Sequence, residues 1–347
     1  MSAKIKTRRE LALRPATLRV ADRMTRLSGT IEFPALPALC DHITQKLADL
    51  FSGFSRPFEP ARIGQLRDLV ARALDQAYQG SSASRIAVNF SAEEGHFVNF
   101  EIDVRHITVK EKYEALESEA KGPMFGRVPD AMVLSAAAQL GERAEARVLD
   151  VGAGDGRNAV PLARLGHPIT AIEPTPAFSE QLRKAANDEQ LPVTIVAQDF
   201  LSPECVLERG HYRLVVISEV LTHFGRLEGL RTAFSRVADA LSPGGVVVAN
   251  VFVAEHWYKP EPLARQIGEM VWSCFFTEPE LDFITTELPF EKITDEPVLD
   301  YERERAPKTW PPTGWFEDWA NGRNVFETTT GISAPIELRW LVFRRLP

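Results

Sequence analysis

Hydrophobic residues in the middle and last parts of the chain come in short runs, most of which end in glycine or polar residues. Runs of this length are typical of strands buried on both faces of a parallel sheet. Amphipathic helical patterns follow several of them, and this alternation predicts a doubly wound α/β sheet with right-handed crossovers. The seven predicted strands are residues 148–151, 169–172, 193–198, 213–217, 246–253, 291–298 and 336–345.

Residues 27–120 show a different pattern, which predicts a smaller α+β module ahead of the sheet domain of residues 121–347. Its predicted elements are two amphipathic helices, from Pro34 to about Phe51 and from Pro60 to about Tyr78, and a strand pair, Arg85–Phe90 and Phe97–Ile107, around a turn at Glu93–Gly95. A lid, a dimer contact, a substrate contact and simple packing onto the sheet domain all remain open as roles of this module.

Composition and charge restrict the classes of protein. The chain has 347 residues, of which 44% are hydrophobic and 25% charged, as expected of a globular protein. A net charge of -8 argues against a broad nucleic-acid surface, although residues 1–26 are basic and are interpreted as a mobile terminus. Cys40, Cys205 and Cys274 suggest neither disulfides nor a metal site. We expect a cytoplasmic protein that lacks membrane spans.

The first central strand runs into a glycine-rich loop, Asp150-Val151-Gly152-Ala153-Gly154-Asp155-Gly156-Arg157-Asn158. Glycines permit backbone conformations, and a close ligand approach, that a side chain would block. The loop is not a dinucleotide fingerprint, because counting from Gly152 the third glycine would fall at Arg157. An ordinary glycine turn in an α/β protein remains the alternative to a ligand-binding loop.

This loop resembles motif I of the class I S-adenosylmethionine-dependent methyltransferases, and the resemblance extends over about residues 120–300. It implies a sheet of seven strands, the last one antiparallel, that binds S-adenosylmethionine. Glu173 would hold the ribose hydroxyls, Asp199 the adenine amino group, and Phe200 would pack beside the base. The implied cofactor-binding residues are Asp150, Gly152, Ala153, Gly154, Gly156, Asn158, Glu173, Asp199, Phe200 and Ser218.

The resemblance also implies a reaction, in which a methyl group passes to an oxygen or nitrogen atom of a small-molecule acceptor, interpreted as part of specialised metabolism. His223 and Glu219 follow the fourth strand and are the candidate bases, although many family members carry a histidine here that transfers no proton. A protein or peptide methyltransferase and a non-catalytic cofactor-binding scaffold are the alternatives. The sequence contains no D/N-P-P-Y signature, and this argues against methylation of nucleic-acid bases.

Aromatic residues mark the acceptor side. Tyr113 and Phe125 precede the first sheet strand and are candidates for a cover over the cofactor. The long insertion at 300–335 contains Tyr301, Trp310, Trp315 and Trp319, which we interpret as a substrate-binding wall for a planar acceptor or an amine. Two alternatives remain. These residues could form a satellite cluster against the N-terminal module, or the basic residues of the insertion, Arg303, Arg305 and Lys308, could bind a carboxylate or phosphate.

Overall fold

A computed structural model of the chain describes residues 26–54, 58–92, 98–119, 122–329 and 331–347. It divides into two compact units, and the boundary lies between Lys112 and Tyr113. Residues 1–25 of the predicted basic terminus and the predicted turn at 93–95 fall outside the described residues. Within the described ranges, no helix is long and apolar enough to cross a membrane.

The N-terminal unit contains an antiparallel sheet of three strands, with β2 in the middle. Its elements are β1 (Leu27–Pro34), α1 (Cys40–Phe54), α2 (Pro60–Gly80), β2 (Arg85–Ala92) and β3 (Asn99–Arg105). Phe51, Leu74 and Ile86 bring α1, α2 and β2 together in one hydrophobic core. Both predicted helices and both predicted strands are therefore present, with somewhat different ends.

The prediction of a helix from Pro34 was wrong, because Pro34 ends a strand that the sequence analysis missed. β1 pairs with β2 along its whole length, from Leu27 opposite Ala92 to Pro34 opposite Arg85. Only after a short turn at Pro37–Leu39 does α1 begin. Most β1 residues are exposed, so this edge strand lacks the apolar run by which the central strands were recognised.

The second unit is organised around a mainly parallel sheet of eight strands. These are β4 (Val148–Val151), β5 (Ile169–Ile172), β6 (Val193–Val196), β7 (Tyr212–Ile217), β8 (Leu241–Ala254), β9 (Phe275–Phe276), β10 (Phe290–Pro297) and β11 (Ile336–Arg345). The main order is β6-β5-β4-β7-β8-β11-β10, and the two-residue β9 pairs with β8. β11 runs antiparallel to both of its neighbours, β8 and β10.

Helices cover both faces of this sheet, which confirms the predicted doubly wound α/β fold. They are α4 (Ala131–Ala137), α5 (Ala159–Arg164), α6 (Pro176–Asp188), α7 (Leu227–Ala240), α8 (Pro262–Met270), α9 (Glu278–Thr285), α10 (Val298–Arg305) and α11 (Phe316–Ala320), and α3 (Val109–Glu119) crosses the unit boundary. Neighbouring residues of β4 enter different cores, Val148 on one face and Leu149 on the other. The strand is therefore buried on both sides, as its apolar run predicts.

The order of the strands also predicts where a ligand binds. β4 lies between β5 and β7, so the chain leaves β4 in one direction and later returns on its other side. In open α/β sheets, ligands bind in the crevice outside the carboxyl ends of the strands at such a switch point. The glycine loop follows the carboxyl end of β4 and therefore lies at this position.

The insertion of residues 300–335 is not one continuous loop. α10 begins immediately after β10, and α11 lies further along the insertion. Tyr301, Phe316 and Trp319 are buried in the core on one face of the sheet. Their apolar side chains are the reason that this segment folds into short helices against the sheet domain.

Candidate active site

The glycine loop folds tightly over the end of β4. The backbone N–H groups of Gly152 and Ala153 donate to the carbonyl oxygen of Ile172, at 2.8 and 3.0 Å, and so attach the loop to β5. Gly152 has a φ of 67°, in the left-handed region that favours glycine. A Cβ atom at this position would lie 2.3 Å from Val220 Cγ2. Both the backbone conformation and the packing at this position therefore require glycine.

Glu173 follows β5, and its carboxylate holds the glycine loop by a hydrogen bond. Its Oε2 accepts a hydrogen bond from the N–H of Gly154 at 2.9 Å, and its Oε1 accepts one from the N–H of Thr175 at 2.8 Å. Burial raises the pKa of this carboxyl above its ordinary value. Each carboxylate oxygen has a second lone pair, so Glu173 can still accept hydrogen bonds from a ligand.

Asp150, in β4 just before the loop, is buried and incompletely satisfied. Its Oδ2 has no hydrogen-bond partner among the residues that the structure describes. Burial raises the pKa of Asp150 to about 7, although the Arg157 guanidinium acts in the opposite direction. A buried carboxylate oxygen without a donor is costly, and a ligand that brings a cationic N–H group would relieve that cost.

Arg157 is the centre of a buried polar network at the start of α5. Its Nη1 donates to Asp130 Oδ1 at 2.6 Å, and its Nη2 donates to Oε1 of Glu219. The side chains of Arg157 and Asp130 are 7% and 4% exposed, so this ion pair is shielded from solvent. Ser218 Oγ donates to Asp130 Oδ2 at 2.7 Å and extends the network to the end of β7.

Asn158 also belongs to this network, and its side chain does not cap α5. It occupies the N-cap position but makes no capping hydrogen bond. Its Oδ1 instead accepts from the N–H of Asp130 at 3.0 Å, and its Nδ2 donates to Asp130 Oδ2 at 2.9 Å. The buried aspartate outcompetes the helix terminus for this amide, because hydrogen bonds to a charged group are the stronger ones.

Asp199 and Phe200, which lie beyond the end of β6, have different surroundings. Asp199 is exposed, and its Oδ1 accepts from the N–H of Leu201 at 2.8 Å. Phe200 is buried in a hydrophobic core, where the Arg236 guanidinium lies 5.4 Å from its ring centre. Asp199 is thus accessible to a ligand, while Phe200 packs inward. Their predicted contacts with adenine stay predictions.

Glu219 and His223, the two candidate bases, lie in unequal surroundings. Glu219 has a left-handed φ of 62°, and its N–H donates to Asn250 Oδ1 at 2.6 Å. Burial raises the pKa of its carboxyl to about 7, and its partner Arg157 opposes that effect. His223 ends the turn at Leu221–His223, and its Nε2 lies 3.0 Å from the Tyr113 hydroxyl. His223 thus lies at hydrogen-bond distance from a hydroxyl group, whereas the carboxylate of Glu219 accepts from Arg157.

Five rings gather beside the glycine loop, and we call Tyr113, Phe125, Phe178, His223 and Trp272 the aromatic cluster. Phe125 packs on the loop itself, since a Cβ atom at Gly154 would lie 3.0 Å from its Cδ2. The ring centres of Tyr113 and Phe125 are 6.1 Å apart, and those of Phe125 and Phe178 are 5.1 Å apart. The two residues predicted as a cover are therefore neighbours, and Phe125 lies directly against the loop.

Known proteins resemble the part of the chain that forms this site. Residues 148–245 match the family described as "Methyltransferase domain". The ubiquinone biosynthesis O-methyltransferase of Methylobacterium sp. (strain 4-46) is 31% identical over 162 residues, which is 43% of this chain and 63% of that protein. The corresponding enzyme of Methylocella silvestris is 37% identical over 106 residues, or 30% of this chain and 38% of that protein.

The matched segment contains the glycine loop, the Glu173 carboxylate and the turn that carries His223. The match thus assigns a methyltransferase domain to residues 148–245, the segment whose motifs resemble those of the class I S-adenosylmethionine-dependent methyltransferases. The chain spans less than two thirds of the length of either relative. Among solved structures, the geranyl diphosphate C-methyltransferase of Streptomyces coelicolor aligns with a TM-score of 0.46 and 14% identity, covering 62% of this chain and 79% of that one.

The aromatic residues of the insertion lie mainly beside the site. Tyr301 and Trp319 are 8% and 5% exposed in the core, whereas Trp315 is 43% exposed. Trp310 packs edge-on against Phe316, with their ring centres 5.8 Å apart. Trp319 reaches the aromatic cluster through its Nε1, which donates to the Trp272 carbonyl oxygen at 3.1 Å. Substrate contact by these four residues stays a prediction.

Several residues that organise this candidate site were not found from the sequence. Asp130, Phe178 and Trp272 come from three segments outside the motifs. Glu302, in the insertion, accepts from the N–H groups of Ala131 and Met132 at 2.8 and 3.1 Å, so it caps α4 next to Asp130. One usable signal was Arg157, because an arginine among buried glycines and apolar residues requires carboxylate partners.

Proposed function

We propose that this chain transfers a methyl group from S-adenosylmethionine to an oxygen or nitrogen atom of a small-molecule acceptor. The observation that carries the proposal is the unsatisfied Oδ2 of Asp150, in the strand that runs into a loop whose glycines have left-handed backbone conformations. A donor with an ammonium group and ribose hydroxyls matches this site, because Glu173, with spare acceptor capacity, lies directly under the loop.

Each residue then has a defined part in holding the donor. Asp150 accepts from the ammonium group, Glu173 accepts from the ribose hydroxyls, and the backbone from Gly152 to Gly156 lies along the methionine part. Asn158 and Ser218 hold Asp130, and Asp130 fixes Arg157 at the start of α5. The donor supplies an electrophilic methyl group, so the protein mainly has to orient the acceptor and exclude water.

His223 is the proposed base toward the acceptor. Its Nε2 already lies at hydrogen-bond distance from a hydroxyl group, that of Tyr113. A general base must reach the proton that it removes at such a distance, about 2.6–3.2 Å. Glu219 serves a different purpose in this proposal, because its carboxylate is held by Arg157 and orients the loop after β7.

Calorimetry with S-adenosylhomocysteine and S-adenosylmethionine tests the donor site. Glu173→Ala removes the acceptor for the ribose hydroxyls, and each lost hydrogen bond to a charged group costs about 1.5–3 kcal/mol of binding free energy. Glu180→Ala is the matched control, because Glu180 is an exposed carboxylate on the neighbouring helix α6. Equal affinities of a folded Glu173→Ala variant and the Glu180→Ala control would contradict this assignment.

The acceptor requires a separate experiment. The protein is incubated with a metabolite extract and methyl-labelled S-adenosylmethionine, and mass spectrometry identifies the compound that gains the label. We expect one or a few small molecules labelled on oxygen or nitrogen, and no label in the control with Glu173→Ala. Label that appears only in proteins or peptides would overturn the small-molecule part of the proposal.

A further inference from the structure

The Tyr113 ring is surrounded by other rings in the manner of a bound aromatic ligand. It lies parallel to Trp272, with the ring centres 4.6 Å apart and an interplanar angle of 11°. It meets His223 and Phe178 edge-on, at 5.6 and 5.9 Å. Parallel stacking on one side and edge contacts on the others are the favoured arrangements of aromatic pairs.

The polar end of the ring is equally well matched. The Tyr113 hydroxyl lies 3.0 Å from Nε2 of His223. Burial raises the pKa of this phenol, so the hydroxyl retains its proton. In the imidazole tautomer that has its lone pair on Nε2, the hydroxyl donates to that nitrogen. The structure thus contains a phenol whose O–H group points at the proposed base.

Tyr113 lies on a helix whose contacts a bound ligand could partly replace. It lies in α3, which contributes no fully buried residue. A hydrogen bond of 2.9 Å from Gln181 Nε2 to Glu117 Oε1 connects α3 to α6. The side chains of α3 are half-exposed or exposed, and a ligand ring stacked on Trp272 would replace the contacts that the Tyr113 ring gives up.

Trp272, the residue on which the Tyr113 ring stacks, is by contrast fixed in position. Trp272 has a left-handed φ of 57°, which a residue other than glycine adopts only when the surrounding structure imposes it. The indole N–H of Trp319 donates to its carbonyl oxygen, and the N–H of Ser273 next to it donates to the Gly268 carbonyl at 2.7 Å. Trp272 is therefore held in place from the insertion and from α8.

From this geometry we propose that the Tyr113 side chain occupies the position in which the acceptor is methylated, between Trp272 and His223, and we call this position the slot. The acceptor is then a planar phenol that is methylated on its oxygen. The proposal rests on the proposed function. When α3 withdraws, the acceptor ring stacks on Trp272 and its hydroxyl donates to His223. The phenolic oxygen then forms a bond to the methyl carbon, the sulfur–methyl bond breaks with its electron pair going to sulfur, and the phenolic proton goes to His223 Nε2.

The test uses p-cresol, which corresponds to the tyrosine side chain, with the full chain and S-adenosylmethionine. Tyr113→Ala empties the slot, so this variant should convert p-cresol to 4-methylanisole at least tenfold faster than the wild type. Tyr113→Phe keeps the slot filled and is the matched control, which should show no such gain. The non-planar 4-methylcyclohexanol should not be methylated by any of the three proteins.

A binding measurement distinguishes binding of p-cresol in the slot from its methylation. In saturation-transfer NMR, p-cresol should bind to Tyr113→Ala and to the double variant Tyr113→Ala/His223→Asn, but only the single variant should methylate it. Tyr113→Leu replaces the alanine variant if circular dichroism shows that the latter is unfolded. If the wild type does not bind the donor, the proposed function itself fails.

Two results would overturn the inference while leaving the proposed function intact. In one, the wild type and Tyr113→Ala bind the donor, but the variant neither binds nor methylates p-cresol better than the wild type. In the other, Tyr113→Phe loses methylation of the natural acceptor and Tyr113→Ala gains no activity toward p-cresol, which would make Tyr113 itself a part of the catalytic machinery.

Discussion

The donor side and the acceptor side of the site are built from different kinds of sequence. Asp150 lies in β4, the glycine loop and Glu173 follow the neighbouring strands β4 and β5, and hydrogen bonds between adjacent segments fix their geometry. The aromatic cluster instead takes its rings from separate stretches of chain, such as Tyr113 in α3 and Trp272 after α8. A fold can thus keep one ligand site in its strand ends while the opposite wall varies.

The buried charges of the donor side predict the largest effect. Arg157→Ala would leave Asp130 and Glu219 buried without their cation, and loss of one partner of a buried pair costs about 3–5 kcal/mol of unfolding free energy. Urea denaturation measures this. The control is Arg164→Ala, whose exposed pair with Glu189 should be worth about 0–1 kcal/mol. Similar losses for both variants would mean that the network is not a structural centre of the donor side.

The pH dependence of donor binding should follow Asp150. Because burial raises its pKa to about 7, the free protein at pH 6 holds Asp150 mainly protonated, and only the deprotonated form attracts an ammonium group. Donor affinity should therefore rise between pH 6 and 8, by at most about tenfold per pH unit, and level off above the pKa. Calorimetry across this range checks it. Asp150→Asn should flatten the profile, and an unchanged slope in that variant would assign the proton to another group.

The smallest effect is expected where the insertion supports the acceptor side. Trp319→Phe removes the indole N–H that donates to the Trp272 carbonyl, a hydrogen bond worth about 0.5–1.5 kcal/mol. We expect a loss of that size in stability and a few-fold higher acceptor KM, with unchanged donor Kd. Trp315→Phe, at a half-exposed position, is the control. A weaker donor Kd in Trp319→Phe would show that the two sides are not separable.

Local patterns in the sequence were sufficient for seven of the eight strands of the large sheet and for the position of the glycine loop at its edge, but not for the two-residue strand β9. The predicted last strand has the observed bounds, Ile336–Arg345, because its apolar residues form an uninterrupted pattern. The start of α9 is likewise visible in the sequence, because Thr277 and Glu280 have the spacing of a capping box and form one. Both signals lie within a few residues of the structure that they predict.

The features that were missed depend on partners far away in the chain. β1 is a strand only because Ala92 and its neighbours on β2 pair with it, and its own residues are mostly polar or exposed. Asp130 gains its role from Arg157, and Trp272 gains its role from Tyr113 and Trp319. The spacing of residues along the chain does not show which distant side chains come into contact, so these contacts could not be predicted from local patterns.

The most direct test of the central claim, that the glycine loop and the carboxylates beside it bind the methyl donor, is a crystal structure with S-adenosylhomocysteine. The predicted result is an ammonium nitrogen within about 3.2 Å of Asp150 Oδ2 and ribose hydroxyls that donate to Glu173. A ligand bound elsewhere, with Asp150 Oδ2 still lacking a donor, would contradict the account.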